Sequence, residues 1–173
     1  MSRKLKLHTK KWLREYKFNN PINVTLTEKQ RVKFHCKEFV FDSINKKSIK
    51  NITQNIYLDD EKSEQNFRHF RNLLNSKVFG NGFKRFNKQL KMLVVREYSQ
   101  NLRHHIHCII EQPIRYSYLE FNFLVHKLWN KTQFGYSNIH IEKPTSHQRE
   151  VGWFNYIMKD NVENSIDWNN TVL

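Results

Sequence analysis

The sharpest chemical signal in the sequence is a pair of histidines one residue apart, His105-Ile106-His107. They lie in HHIHCIIE (104–111), a β-rich run. In a strand, side chains at i and i+2 point to the same face, with α-carbons about 6.5–7 Å apart. Two imidazoles so placed can converge on one divalent ion. Ile106, Cys108 and Ile110 then face the core, and His104 shares their side. An isolated H-x-H is more often a surface or hydrogen-bonded pair than a ligand pair, so a third donor matters. Glu97 closes the neighbouring run KMLVVREY (91–98), and the short connection SQNLR brings it back beside His105 and His107 in a hairpin. Glu111 shares strand parity with the two histidines and competes for the role; Glu97 is preferred. Two imidazoles and a carboxylate leave coordination positions open, as a catalytic metal requires.

A second signal lies in HQREVGWFNYIMKDN, where Tyr156 and Lys159 are spaced i and i+3 and share a helix face. Tyrosine is among the side chains that form covalent intermediates. Its ordinary pKa is about 10, so nearby positive charge favours the phenolate. Lys159 can supply that charge, or hold a scissile phosphate or its leaving group. A Y-x-x-K on a helix is by itself commonplace. Val151, Phe154 and Met158 make an apolar stripe that seats the same helix.

These residues need a scaffold. Pro21 opens PINVTLTE (21–28), in which Ile22, Val24 and Leu26 alternate with polar residues as in a half-buried strand. Residues 30–62 have no clean period, and a helix or irregular insertion is expected there. Phe67, Phe70 and Leu74 form a helical stripe within 63–78, which Gly80 and Gly82 end. The two β-rich runs follow, and Pro113 ends the second. Ser117 and Glu120 form a capping box ahead of Phe121, Leu124, Val125, Leu128 and Trp129 at helical spacing. YSNIHIEK (136–143) alternates as a strand. Thr145 and Gln148 then pattern a second cap, opening a helix through about Asn161. The order predicts an α+β fold, a split β-α-β-β-α-β unit with an antiparallel sheet, plus a C-terminal helix against the sheet's open face. His140, in NIHIE, reads as a structural strand histidine.

Composition narrows the partners. The 173 residues carry 30 Lys and Arg against 16 Asp and Glu, a formal net charge of +14, and 14% are aromatic. Cations that follow a phosphate backbone, interleaved with rings that stack on bases, suit single-stranded nucleic acid. Residues 1–20 form a basic arm, and 21–173 form one domain. Lys84, Arg85 and Lys88, with Lys91, make a second basic cluster suited to a phosphate backbone. Cys36 and Cys108 match no zinc spacing and make no disulfide framework. With no signal peptide and no apolar run long enough to span a bilayer, the protein is expected to be soluble and intracellular, with no membrane partner.

Strand H-x-H followed by helix, strand and helix with Y-x-x-K resembles the HUH endonuclease superfamily, named for histidine, bulky hydrophobic, histidine. SNIHIEKPTSHQREVGWFNYIMKDN is similar to the stretch leading to the nucleophile in replication initiators of small circular single-stranded DNA viruses. The resemblance covers roughly residues 21–161. It implies a ferredoxin-like sheet with the active site on its open face and Tyr156 as nucleophile. It also implies Mg²⁺ or Mn²⁺ held by Glu97, His105 and His107. The expected reaction is site-specific nicking and rejoining of single-stranded DNA, at an origin hairpin, to begin rolling-circle replication. The products are a 5′-phosphotyrosine and a free 3′-hydroxyl. NVTLTEK stands where the family's origin-recognition motif falls and matches it poorly; Thr25 and Thr27 are its candidate DNA contacts. Host or viral replication proteins are further expected partners, in a bacterial cytoplasm or a eukaryotic nucleus. Related single-tyrosine transposases usually carry a glutamine a turn past the tyrosine, whereas Lys159 and Asp160 stand here. Relaxases usually use three histidines and an N-terminal tyrosine. The competing readings are a non-catalytic single-stranded nucleic-acid-binding module, for which 91–98 and 104–111 offer only Tyr98 as a stacking ring, and a basic structural protein.

Overall fold

The computed structural model describes residues 11–13, 15–41, 47–97, 104–158 and 165–173. Strand β1 (Pro21–Glu28) leads into an antiparallel ribbon of β2 (Arg31–Phe41) and β3 (Lys47–Tyr57). Helix α1 (Asp60–Phe79), a short α2 (Asn81–Phe86), β4 (Met92–Glu97) and β5 (His105–Glu111) follow. The chain then forms α3 (Tyr118–Trp129), β6 (Gly135–Glu142) and α4 (His147–Ile157). Four strands make one sheet in the order β4-β5-β1-β6, every neighbouring pair antiparallel. The protein is therefore α+β, with a four-stranded antiparallel sheet and a separate two-stranded one.

The strands alternate as their sequences require. Ile22, Val24 and Leu26 of β1, Met92 and Val94 of β4, and Ile106, Cys108 and Ile110 of β5 are buried on one face. They pack with Phe67, Phe70 and Leu74 of α1 and Phe121, Val125 and Trp129 of α3. Asp59 caps α1 by accepting from the Lys62 amide at 2.8 Å. The Ser117–Glu120 capping box of α3 forms as its spacing requires. The cap of α4 is Ser146, which accepts from the Arg149 amide at 3.3 Å, not Thr145. Thr145 lies before a helix that starts two residues later, because the chain is still extended at Ser146.

The opposite face has its own smaller core. Leu93, Val95 and Ile109 of the sheet meet Phe154, Ile157 and Met158, with Leu13 and Ile166. The described end of the N-terminal segment packs against the domain: Leu13 is buried, and Asn20 Nδ2 donates to the Gln112 carbonyl at 3.2 Å. The C-terminal residues close the outer edge of β4. Met92 and Val172 exchange backbone hydrogen bonds of 2.7 and 2.8 Å, and the Asp167 amide donates to Val94 O at 2.9 Å. This covers part of an edge that would otherwise invite pairing with another chain.

The ribbon corrects the expectation of a helix or irregular insertion at 30–62. Val32, Phe34 and Cys36 pair with Ile56, Gln54 and Ile52 in an unbroken antiparallel register. Among the described residues, neither ribbon strand contributes to either core, so burial left no strong pattern in the sequence there. β-branched and aromatic residues with cross-strand pairs hold it instead. No helix among the described residues is long and apolar enough to cross a membrane.

Candidate functional site

Antiparallel register sets the candidate residues in adjacent columns across the second face. Glu97 of β4 pairs with His105 of β5, which pairs with Thr27 of β1. One pair along, Val95, His107, Thr25 and His140 form the next row, and Leu93, Ile109, Asn23 and Glu142 the third. The alternation that buries Ile106 and Cys108 therefore turns both histidines toward α4.

His107 is the hub. It is 4% exposed, with Nε2 2.7 Å from Glu97 Oε2 and Nδ1 3.0 Å from Thr25 Oγ1. Both contacts are satisfied when Nε2–H donates to the carboxylate and the Thr25 hydroxyl donates to Nδ1. A hydroxyl both donates and accepts, so Thr25 can also hold the other tautomer, with Nδ1–H donating to Oγ1 and the Nε2 lone pair free for a cation. An outer partner that fixes a ligand ring in this way is a recurrent feature of metal sites. The His105 ring lies nearly parallel to that of His107, with centroids 6.4 Å apart and planes 14° apart.

Glu97 and not Glu111 meets the histidines. Glu111 pairs with Pro21 at the far end of the sheet and accepts from the Asn19 amide at 3.1 Å. The donor set fits a hard-to-borderline divalent ion in kind: two imidazoles, one carboxylate and open positions. Among the described residues, no three His, Cys, Asp or Glu side chains are gathered closely enough to enclose an ion. The Glu97–His107 hydrogen bond occupies the space a shared cation needs, so the two must part to admit one.

Helix α4 brings Tyr156 to this cluster. Its ring packs edge-on against His107, centroids 5.5 Å apart, and lies 5.7 Å from the Trp153 ring. Trp153 in turn meets His107 at 5.8 Å. Phe154, Ile157 and Met158 anchor the helix in the smaller core, which leaves Tyr156 47% exposed at the edge of the sheet. Lys159 and Tyr98 lie outside the described residues.

The remaining candidates separate. Thr25 is in the site, as the partner of His107. Thr27 is 3% exposed, so its side chain is withdrawn from any DNA surface; the pleat that aims it at His105 also buries it. Lys84, Arg85 and Lys88 are exposed on and just after α2, ahead of β4. Glu97 ends β4, so this cluster lies at the opposite end of that strand. His140 lies on the site face, exposed, with Nε2 3.9 Å from Glu142.

Three residues that sequence reasoning passed over line the same cleft. Asn23, Arg149, Trp153 and Tyr156 border an open cavity of about 670 Å³. Asn23 Oδ1 and Trp153 Nε1 are buried polar atoms with no hydrogen-bond partner among the described residues. Such atoms are costly and frequently mark a binding surface. The signals were present: Asn23 shares β1 parity with Thr25, and Trp153 precedes Tyr156 by three residues on the same helix. Arg149 adds a cation to the rim, held by Glu142 at 2.9 Å.

No family model, curated protein or solved structure matches this chain.

Proposed function

We propose that this protein is a single-tyrosine HUH-type endonuclease that nicks and rejoins single-stranded DNA to begin rolling-circle replication. The observation that carries the reading is the packing of Tyr156 against His107 on the face where Glu97 and His105 meet. A nucleophile and a candidate cation site are then adjacent, as attack on one phosphate requires. The strand order β4-β5-β1-β6, with α1 and α3 on the other face, supports reading the sheet as the split, ferredoxin-like β-α-β-β-α-β plan.

The chemistry follows from the residues. The Tyr156 oxygen attacks phosphorus, forming an O–P bond as the bond from phosphorus to the 3′-oxygen breaks. The phenolic proton is given up, and the departing oxygen gains one to become a 3′-hydroxyl. Attack in reverse by that hydroxyl rejoins the strand, because the phosphotyrosine keeps the energy of the broken ester. Glu97, His105 and His107 would hold a Mg²⁺ or Mn²⁺ ion, which would supply Lewis-acid polarisation of the phosphoryl oxygens. Thr25 holds the His107 ring in place, and Lys159 is assigned to the phosphate or the leaving group. The Asn23 acceptor and Trp153 donor, unpartnered among the described residues, suit the polar edge of an unstacked base beside the scissile phosphate.

Incubation with a labelled single-stranded hairpin library and Mn²⁺ is expected to give a covalent adduct whose mass maps to Tyr156. Tyr156→Phe removes only the attacking oxygen and is expected to abolish the adduct. An adduct of unchanged yield in that variant overturns the assignment.

A further inference from the structure

The β2–β3 ribbon plays no part in the chemistry above, and its charge has a direction. Between residues 31 and 57 the sequence has Arg31, Lys33, Lys37, Lys46, Lys47 and Lys50, against only Glu38 and Asp42 as acids. Strand parity puts Arg31, Lys33, His35 and Lys37 on one face, all exposed. Their partners across the ribbon are Tyr57, Asn55, Thr53 and Asn51, also exposed. One strand of this face therefore presents three cations and a histidine, and the other presents amides and hydroxyls. His35 Nδ1 and Thr53 Oγ1 are 2.9 Å apart, tying the two rows together. On the reverse face Val32, Cys36, Ile52 and Ile56 are half-buried against one another.

We infer that the ribbon is a duplex-DNA-binding arm that enters the major groove with this face. Two antiparallel strands are about 5 Å apart, and the major groove, about 12 Å wide, admits such a ribbon. Arg31 and Lys33 are about 6.8 Å apart along the strand and Lys37 lies about 13.6 Å farther on, even multiples of the 3.4 Å rise per phosphate of a DNA strand. Arg31, Lys33 and Lys37 contact the backbone, while Asn51 and Asn55 meet base edges, where asparagine pairs bidentately with adenine. The deep, narrow major groove of A-form RNA excludes the same ribbon. The arm also leaves the sheet at a telling place. The Leu58 amide donates to Gln30 O at 2.9 Å, closing its base two residues past the end of β1, beside the row of Glu97, His105 and Thr27. Resting on the proposed nicking function only for this last point, a duplex stem gripped by the arm ends at the site where the single strand is cut.

The test uses a 20-bp mixed-sequence DNA duplex with no single-stranded part and no metal, so binding is read apart from nicking. Fluorescence anisotropy across a salt series is expected to show Arg31→Ala/Lys33→Ala/Lys37→Ala weakening binding at least about tenfold, with the log–log salt slope shallower by roughly 2 to 3. Asn51→Ala/Asn55→Ala is expected to leave that slope in place and flatten the preference among duplexes with a randomised centre. Circular dichroism checks that both variants keep the wild-type spectrum, and adduct formation on unpaired DNA is expected to persist in both. An unchanged slope in the triple variant overturns the proposal. So does equally tight, equally sensitive binding of an A-form RNA duplex or of single-stranded DNA of the same length, since neither offers the groove.

Discussion

Thr25 shows how much one hydroxyl can decide. Its Oγ1 stands 3.0 Å from His107 Nδ1 and gives the imidazole a partner in either tautomer. Removing it takes away the partner at Nδ1 and leaves the Nε2 contact to Glu97, the group with which the ring would share a cation. Thr25→Val keeps the β-branched shape that β1 favours, so the fold is expected to stand. The expected loss is about tenfold in Mn²⁺ affinity, read as a displaced midpoint when the Mn²⁺-induced rise in melting temperature is titrated. Thr25→Ser is expected to restore the midpoint. An unchanged titration for Thr25→Val means that the hydroxyl does not position the ring.

At the scale of elements, the turn from α3 into β6 is a close-packed joint in the sheet's support. A Cβ on Gly135 would overlap the Trp129 carbonyl oxygen and stand 2.7 Å from Thr132 Oγ1. That carbonyl already accepts from Thr132 Oγ1 at 2.8 Å, and the Trp129 indole donates to the Thr27 carbonyl at 3.1 Å. The turn cannot move without pulling a fully buried tryptophan from the core. Gly135→Ala is therefore expected to cost about 2–3 kcal/mol, measured as a lower midpoint in urea with an unchanged m-value. Stability within about 0.5 kcal/mol of wild type would show that the turn yields freely. The same scale separates what could be read early from what could not. The Ser117–Glu120 cap and the apolar stripes of α1 and α3 are local patterns, and they form where their spacing puts them. Among the described residues the ribbon's apolar face is at most half-buried, and so it leaves no strong period to detect.

For the molecule as a whole, Glu28 ties stability to pH. It ends β1 with no exposed surface, accepting from Ser63 Oγ at 2.6 Å and Asn66 Nδ2 at 3.1 Å. Burial raises its pKa from 4.5 to about 7, against the opposing pull of those two hydrogen bonds and of Arg96. The folded state holds this proton more tightly than the unfolded chain. Its contribution is thus complete below about pH 4.5 and is lost as pH rises through about 7. The shift corresponds to a loss on the order of 3 kcal/mol. Glu28→Gln keeps an acceptor for Asn66 and offers a donor to Ser63 without the ionisation. Its melting temperature is expected to lose this decline between pH 5 and 8 and to exceed wild type at pH 8. Parallel pH profiles for the two proteins would remove Glu28 as the cause.

What the amino-acid order determined on its own was everything with a short period. It set the strand parity that turns His105 and His107 away from Ile106 and Cys108, and the i, i+3 spacing of Tyr156 behind Trp153. Such patterns follow from backbone geometry alone and need no partner. The tertiary structure alone decided which elements meet. Register across β4 and β5 chose Glu97 over Glu111, and register across β1 gave His107 its Thr25 and buried Thr27. The smaller core of Leu13, Phe154 and Ile166 fixed α4 so that Tyr156 reaches His107. Those pairings join residues far apart in the chain, held by burial that no local window contains.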